Sequence, residues 1–237
     1  MILIACGLQR EAAILSHDGV LAIPGGGDGA RLETALEAAA PQTTMLLSCG
    51  IAGALDPALV AGDLVLHLPA FVSSEVEKQA ISDAPEAGAS TALDTNGEDD
   101  WCERLRAALP HARLGRILGQ DHIAATVAEK AALHAATGAL AVDMESHIAA
   151  RVAARHRLRF AAIRAISDTA SETLPPAALI GMNPDGSMAL GKVLASLARR
   201  PAQLPTLIRT GRSAEAAFRA LSDVGEAISA LTITLRA

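Results

Sequence analysis

The chain has 237 residues, 51% of them hydrophobic and 19% charged. That is length enough for one α/β domain with a large core, and too apolar a composition for a disordered chain. A net charge of −6 and an aromatic content of 2%, with no tyrosine, exclude a basic surface interleaved with rings, and with it nucleic acid as a partner.

Alanine and branched aliphatics dominate, as suits helices layered on a parallel sheet. In chain order, Ile2–Cys6 reads as a buried strand followed by a helix over Arg10–Ser16. Val20–Ile23 is a second strand, followed by the run Gly25-Gly-Gly-Asp-Gly29 and a helix over Ala30–Ala40. Thr44–Ser48 is a third strand ending in a glycine turn, Cys49-Gly-Ile-Ala-Gly-Ala54, and Asp63–Leu68 a fourth. Residues 73–100, rich in Ser, Asp, Glu, Ala and Gly, read as a solvated excursion or a lid. Leu114–Leu118 and Leu158–Ser167 are further strands. Helices are predicted over Trp101–Leu109, Thr126–Ala136, Met144–His156, Met188–Arg200 and Ala214–Ala230.

Met1 leads straight into the first strand without a charged leader, and the apolar runs are too short to span a bilayer. The cysteines Cys6, Cys49 and Cys102 are odd in number and lack zinc-type spacing. Reduced thiols in the cytoplasm are expected, with no metal site among the histidines. Cys49 has no evident base beside it and is not a candidate nucleophile.

Three acids carry the chemistry: Glu11, Glu145 and Asp168 each fall where a strand gives way to a turn or helix. Ligands of open α/β sheets bind beyond the carboxyl ends of the strands, so three such carboxylates can meet on one small molecule. Each also has a plain structural explanation. Glu11 and Glu145 sit near helix starts, where the dipole favours an acid, and Asp168 precedes a capping-box pattern, Thr169 to Glu172. His122 follows a strand and reads either as a cleft residue or as a surface one. Gly25, Gly27 and Ala30 fit the dinucleotide fingerprint loosely, but the ribose-binding acid is missing from the end of the next strand. A nicotinamide-dependent oxidoreductase is therefore the weaker reading, and a non-catalytic nucleoside-binding module is a third.

Ile2 through Glu11, Ser48-Cys-Gly-Ile-Ala-Gly53 with Ala61-Gly-Asp63, Val142-Asp-Met-Glu145 and Arg164-Ala-Ile-Ser-Asp168 together resemble the nucleoside phosphorylase and nucleosidase superfamily. The 5′-methylthioadenosine/S-adenosylhomocysteine nucleosidases are the most similar of its branches. The resemblance implies a single three-layer α/β/α domain over 1–237 with a mixed, partly barrel-like central sheet, and a mainly helical C-terminal extension from about 185. It implies that Asp168 protonates the purine, Glu11 handles the attacking water and Glu145 binds the ribose hydroxyls over Met144. Backbone at Ile123 would meet the adenine edge, and Gly50, Ile51, Ala52 and Gly53 would lie along base and sugar. Ser167 and His122 complete the binding set, His122 standing where nucleosidases stack a phenylalanine. No cofactor is implied, and relatives suggest a homo-oligomer, a dimer.

Two departures favour water over phosphate as nucleophile. The turn after the third strand has Ile51 in place of a phosphate-binding serine and contains no arginine, and Glu11 sits where phosphate oxygens would need a cation, although Arg10 keeps a phosphorylase open. Val142 to Ala150, Leu174-Pro-Pro-Ala177, Pro184-Asp-Gly186 and Arg200 to Arg209 are most similar to the bacterial hopanoid-associated phosphorylase group. That likeness implies an adenine nucleoside with an apolar triterpenoid on its 5′ carbon, adenosylhopane, and a transient contact with a membrane surface. The expected reaction is hydrolysis of the N-glycosidic bond.

Overall fold

Every residue of β1 (Ile2–Cys6) is buried, and alternate side chains enter two different layers. Ile2, Ile4 and Cys6 join one apolar cluster, while Leu3 and Ala5 join another. The computed structural model describes residues 1–68, 95–183 and 185–234. The excursion expected at 73–100 lies outside them as far as Asp94, as does Pro184, and its remainder, from Thr95, is helical rather than a loop.

β1 pairs in parallel with β2 (Val20–Pro24) and with β3 (Met45–Ala54). β3 continues the parallel ladder with β8 (Arg159–Asp168), which turns antiparallel against β4 (Leu64–His67). β4 carries β5 (Arg113–Leu114) at the edge. At its far end β3 also pairs antiparallel with β7 (Ala141–Asp143), which holds β6 (Ile117–Gly119) in parallel. The sheet is thus mixed and forked rather than linear, and the fork opens where the predicted acids lie.

Helices cover both faces. Phe218, Leu221, Val224 and Ile228 of α8 (Leu204–Thr234) pack with Trp101 and Leu105 of α3 (Thr95–Ala108) on one face, beside α1 (Gln9–Leu15). Leu32 and Leu36 of α2 (Gly29–Ala39) meet Ile148, Ala149 and Val152 of α5 (Ser146–His156) on the other. Each such aliphatic side chain contributes about 1.5–3 kcal/mol on full burial. Asp28 caps α2 by accepting from Arg31 N at 3.0 Å. Thr126 caps α4 (Val127–Thr137) through Glu129 N at 3.2 Å, and Gly138 ends that helix at φ 64°. Two further helices, α6 (Pro176–Leu179) and α7 (Leu190–Arg199), lie between β8 and α8.

The structure corrects the predicted turn at Gly50–Gly53. These residues form the second half of β3, with pairing from β8 on one side and β7 on the other. Glycine-rich composition signals a turn, but here it serves close approach: a Cβ on Gly50 would lie 2.8 Å from Glu11 Oε1. The run after β2 is a true turn, with Gly26 and Gly27 at φ 67° and 76°. Its open sides face this chain's own side chains, since a Cβ on Gly27 would meet Met182 at 3.0 Å and one on Gly29 would meet Ile148 at 2.9 Å. A dinucleotide pyrophosphate has no place against those glycines.

Candidate active site

Glu11 is 1% exposed, in the first turn of α1. Its Oε2 accepts from Gly7 N and Leu8 N, and its Oε1 accepts from Ile51 N across the sheet, each at 2.7 Å. Burial pushes its carboxyl above the usual range, while those backbone donors and Arg164 pull against the shift. A raised carboxyl held by fixed donors is suited to taking a proton near neutral pH.

Glu145 faces the same space. A Cβ on Gly7 would lie 3.0 Å from Glu145 Oε1 and 3.5 Å from Glu11 Oε2, so the two carboxylates flank one glycine. Burial, with the charges of Asp143 and Glu11, pushes Glu145 up to about 8 against the pull of Arg164. Arg164, on β8 and fully buried, binds this cluster together. Its Nε donates to Asp143 Oδ2 at 2.7 Å and its Nη2 to Ser48 Oγ at 2.6 Å, with Glu145 Oε2 at 3.7 Å. Burial raises Asp143 too, but the arginine's charge and hydrogen bond, with those from Ser146, overcome it and hold Asp143 ionised. The remaining guanidinium nitrogen, Nη1, is buried without a protein acceptor and would lie 3.1 Å from a Cβ on Gly50. An unanswered cationic donor beside Glu11 is a seat for a water or a substrate hydroxyl.

Asp168 forms a second pole. Gly50 and Gly53 of β3 are three residues apart, roughly 10 Å along a strand. Gly50 backs Glu11 and Arg164, whereas Asp168 Oδ2 would be 3.1 Å from a Cβ on Gly53. The register shifts here, with Ala52 opposite Ile166 and Gly53 opposite Asp168, leaving Ser167 as the extra residue. Such a bulge re-aims the side chain that follows it. Ser167 Oγ sits 3.1 Å from Ala52 O and donates to Asp168 Oδ1 at 2.8 Å. The other carboxylate oxygen is held by Lys130 of α4, fully buried, at 2.5 Å. Lys130 Nζ also donates to Thr169 O at 2.8 Å and Glu172 O at 3.0 Å. The Thr169–Glu172 pattern does close, through Thr169 N to Glu172 Oε2 at 3.0 Å, yet no helix starts there.

The structure therefore groups Glu11 with Glu145 and sets Asp168 apart, with Gly50, Ile51, Ala52 and Gly53 strung between them. Met144 is half-buried next to Glu145. Ile123 is 38% exposed, and the His122 side chain turns to solvent near Glu129, 3.5 Å away. Arg10 pairs with Glu215 and lies over Phe218, on the outer side of α1. Sequence reasoning gave no role to Arg164, Asp143 or Lys130. Arg164 had a signal, since a charge inside an apolar strand demands buried partners. Lys130 had none, because Ala-Glu-Lys-Ala on a helix reads as a solvated face. Cys49, pushed up to about 12 mainly by burial, is no nucleophile. Among the described residues, no group of three or more His, Cys, Asp or Glu side chains is placed to hold a metal.

A site with two acidic poles set against the glycines of β3 suits a ligand about as long as a nucleoside. The fold is that of solved 5′-methylthioadenosine/S-adenosylhomocysteine nucleosidases. The enzyme from Colwellia psychrerythraea, in complex with adenine, is 17% identical with a TM-score of 0.57, covering 95% of this chain and 94% of its own. That from S. pneumoniae, with a transition-state inhibitor, is 17% identical with a TM-score of 0.53, covering 96% and 99%. The S-adenosylhomocysteine nucleosidase from Streptococcus pyogenes is 16% identical with a TM-score of 0.52, covering 94% of each chain. No curated protein matches the chain. The phosphorylase superfamily model matches residues 30–199, well over half of the sequence, and the chain belongs to that superfamily.

Proposed function

We propose that the chain hydrolyses the N-glycosidic bond of an adenine nucleoside. The observation that carries this reading is the pairing of Glu11 and Glu145 around an unanswered Arg164 Nη1, with Asp168 a few residues along the same strand. Water held by Glu11 and Arg164 attacks C1′ and gives its proton to Glu11. The C1′–N9 electron pair leaves with adenine, and Asp168 protonates N7. Glu145 holds the ribose hydroxyls over Met144, and backbone at Ile123 reads the adenine edge. The transition state is oxocarbenium-like, as in glycoside hydrolysis, so carboxylates flanking the sugar stabilise it.

Water is favoured over phosphate by charge. Glu11, Asp143 and Glu145 crowd one arginine that is already engaged, and Arg10 is committed to Glu215. A phosphate dianion there would find a single free cationic nitrogen, Arg164 Nη1, flanked by two buried carboxyl groups. Lys130 bears on the general acid. Lys130 Nζ, buried against Asp168 Oδ2, is placed to pass a proton to the carboxyl that serves N7.

For the 5′ group we propose a triterpenoid, making adenosylhopane the substrate and ribosylhopane the product. This rests on the phrases shared with the hopanoid-associated group. Detergent-dispersed adenosylhopane and soluble 5′-methylthioadenosine, compared by adenine release in phosphate-free buffer, test it. Preference for adenosylhopane in kcat/KM is expected. Preference for methylthioadenosine would keep the reaction and remove the substrate.

A further inference from the structure

We infer that α7 and the first turns of α8 form a docking face for an anionic lipid bilayer. α7 has no buried residue. It rests on the protein through the half-buried Val193, Ser196 and Leu197, with Ser196 Oγ accepting from Gln203 Nε2 at 2.9 Å. Next to them on the same stripe, Leu190 at 63% and Leu194 at 65% exposure stay open, four residues apart and so on one face. Met188 just before it is 62% exposed, and Leu204 and Ile208 repeat the spacing at 46% and 48% on α8. A soluble surface rarely devotes successive helical turns to large aliphatic side chains.

Charge names the occupant. From Ser187 to Ala214 the chain holds Lys192, Arg199, Arg200, Arg209 and Arg212 and no acid, in a protein of net charge −6. Lys192, Arg199 and Arg200 form no ion pair with the described residues, whereas Arg209 lies 3.4 Å from Glu172. The flanking acid Asp185 is hydrogen-bonded to Ser187. Exposed leucines on one side of α7, with Lys192 and Arg199 on its opposite, polar side, match an interfacial helix on anionic lipid. No helix among the described residues is long and apolar enough to cross a membrane, so the contact is superficial.

The face adjoins the proposed site. The loop leading into α7 is fastened to the start of α1 by Gln9 N donating to Gly186 O at 3.0 Å, and it places Met182 against Gly27. A nucleoside with a lipid 5′ group would therefore reach the carboxylates from the bilayer. That use rests on the nucleosidase reading, whereas vesicle binding does not.

The test is flotation of the full chain, without substrate, on vesicles of phosphatidylcholine alone or mixed with phosphatidylglycerol. Binding to the anionic vesicles only, weakened by salt, is expected. The double variant Leu190→Glu with Leu194→Glu should bind at least about tenfold more weakly. Lys192→Gln, Arg199→Gln and Arg200→Gln should each cost about fivefold. Thermal melting and sedimentation of each variant report folding and oligomeric state. Absent flotation, equal binding to neutral vesicles, or a Glu double variant that only splits a dimer would overturn the proposal. Adenine release from detergent-dispersed substrate is read separately, so failure there leaves the docking result standing.

Discussion

Lys130 decides how Asp168 works. If the ammonium supplies the proton, Lys130→Met should lower adenine release by about 10²–10⁴-fold, as loss of a positioned acid does, and Asp168→Asn should match it. Lys130→Arg keeps the charge and yields no proton, so it should remain well below wild type. Full activity in Lys130→Arg would make the lysine a purely electrostatic clamp. Glu145 gives a prediction about stability. Its folded value near 8 lies above the unfolded value of about 4.3, so its contribution is complete below the lower figure and is lost as pH rises towards the higher. Glu145→Gln, always neutral, should therefore abolish turnover yet melt higher than wild type, by about 2–4 °C per kcal/mol recovered. The gap should widen from acid to mildly alkaline pH, and melting curves that converge with rising pH would contradict the charge assignment.

β3 is the element on which the site is ruled. Its glycines let Glu11 and Asp168 press against backbone, so Gly50→Ala is expected to displace Glu11 and reduce activity by at least about tenfold while leaving the sheet formed. Unchanged activity, alongside an unchanged circular dichroism spectrum, would show that Glu11 need not stay where it is. The regular elements were legible because their physics is local: β1 matches its apolar run, and α2 falls within a residue of its predicted bounds. The end of β3 was not. Gly-Ile-Ala-Gly carries the composition of a turn, and only the partners β7 and β8, distant in sequence, make it a strand. The bulge at Ser167 is hidden for the same reason, since register belongs to the pair and not to either strand.

As a whole, the molecule is a forked mixed sheet with helices on both faces, and its class was readable from alternating strand and helix patterns. The acids Glu11, Glu145 and Asp168 were visible as phrases at strand ends. Their division into two poles was not, because it depends on how β3 runs between β8 and β7. Arg164 and Lys130 stayed hidden because a buried charge is defined by partners that only tertiary structure supplies. The central claim is that water, not phosphate, takes the sugar. Adenine release from the nucleoside, followed by chromatography with and without inorganic phosphate, tests it most directly. Equal rates and a free ribosyl product are predicted. Release that requires phosphate and yields a sugar 1-phosphate would contradict the account.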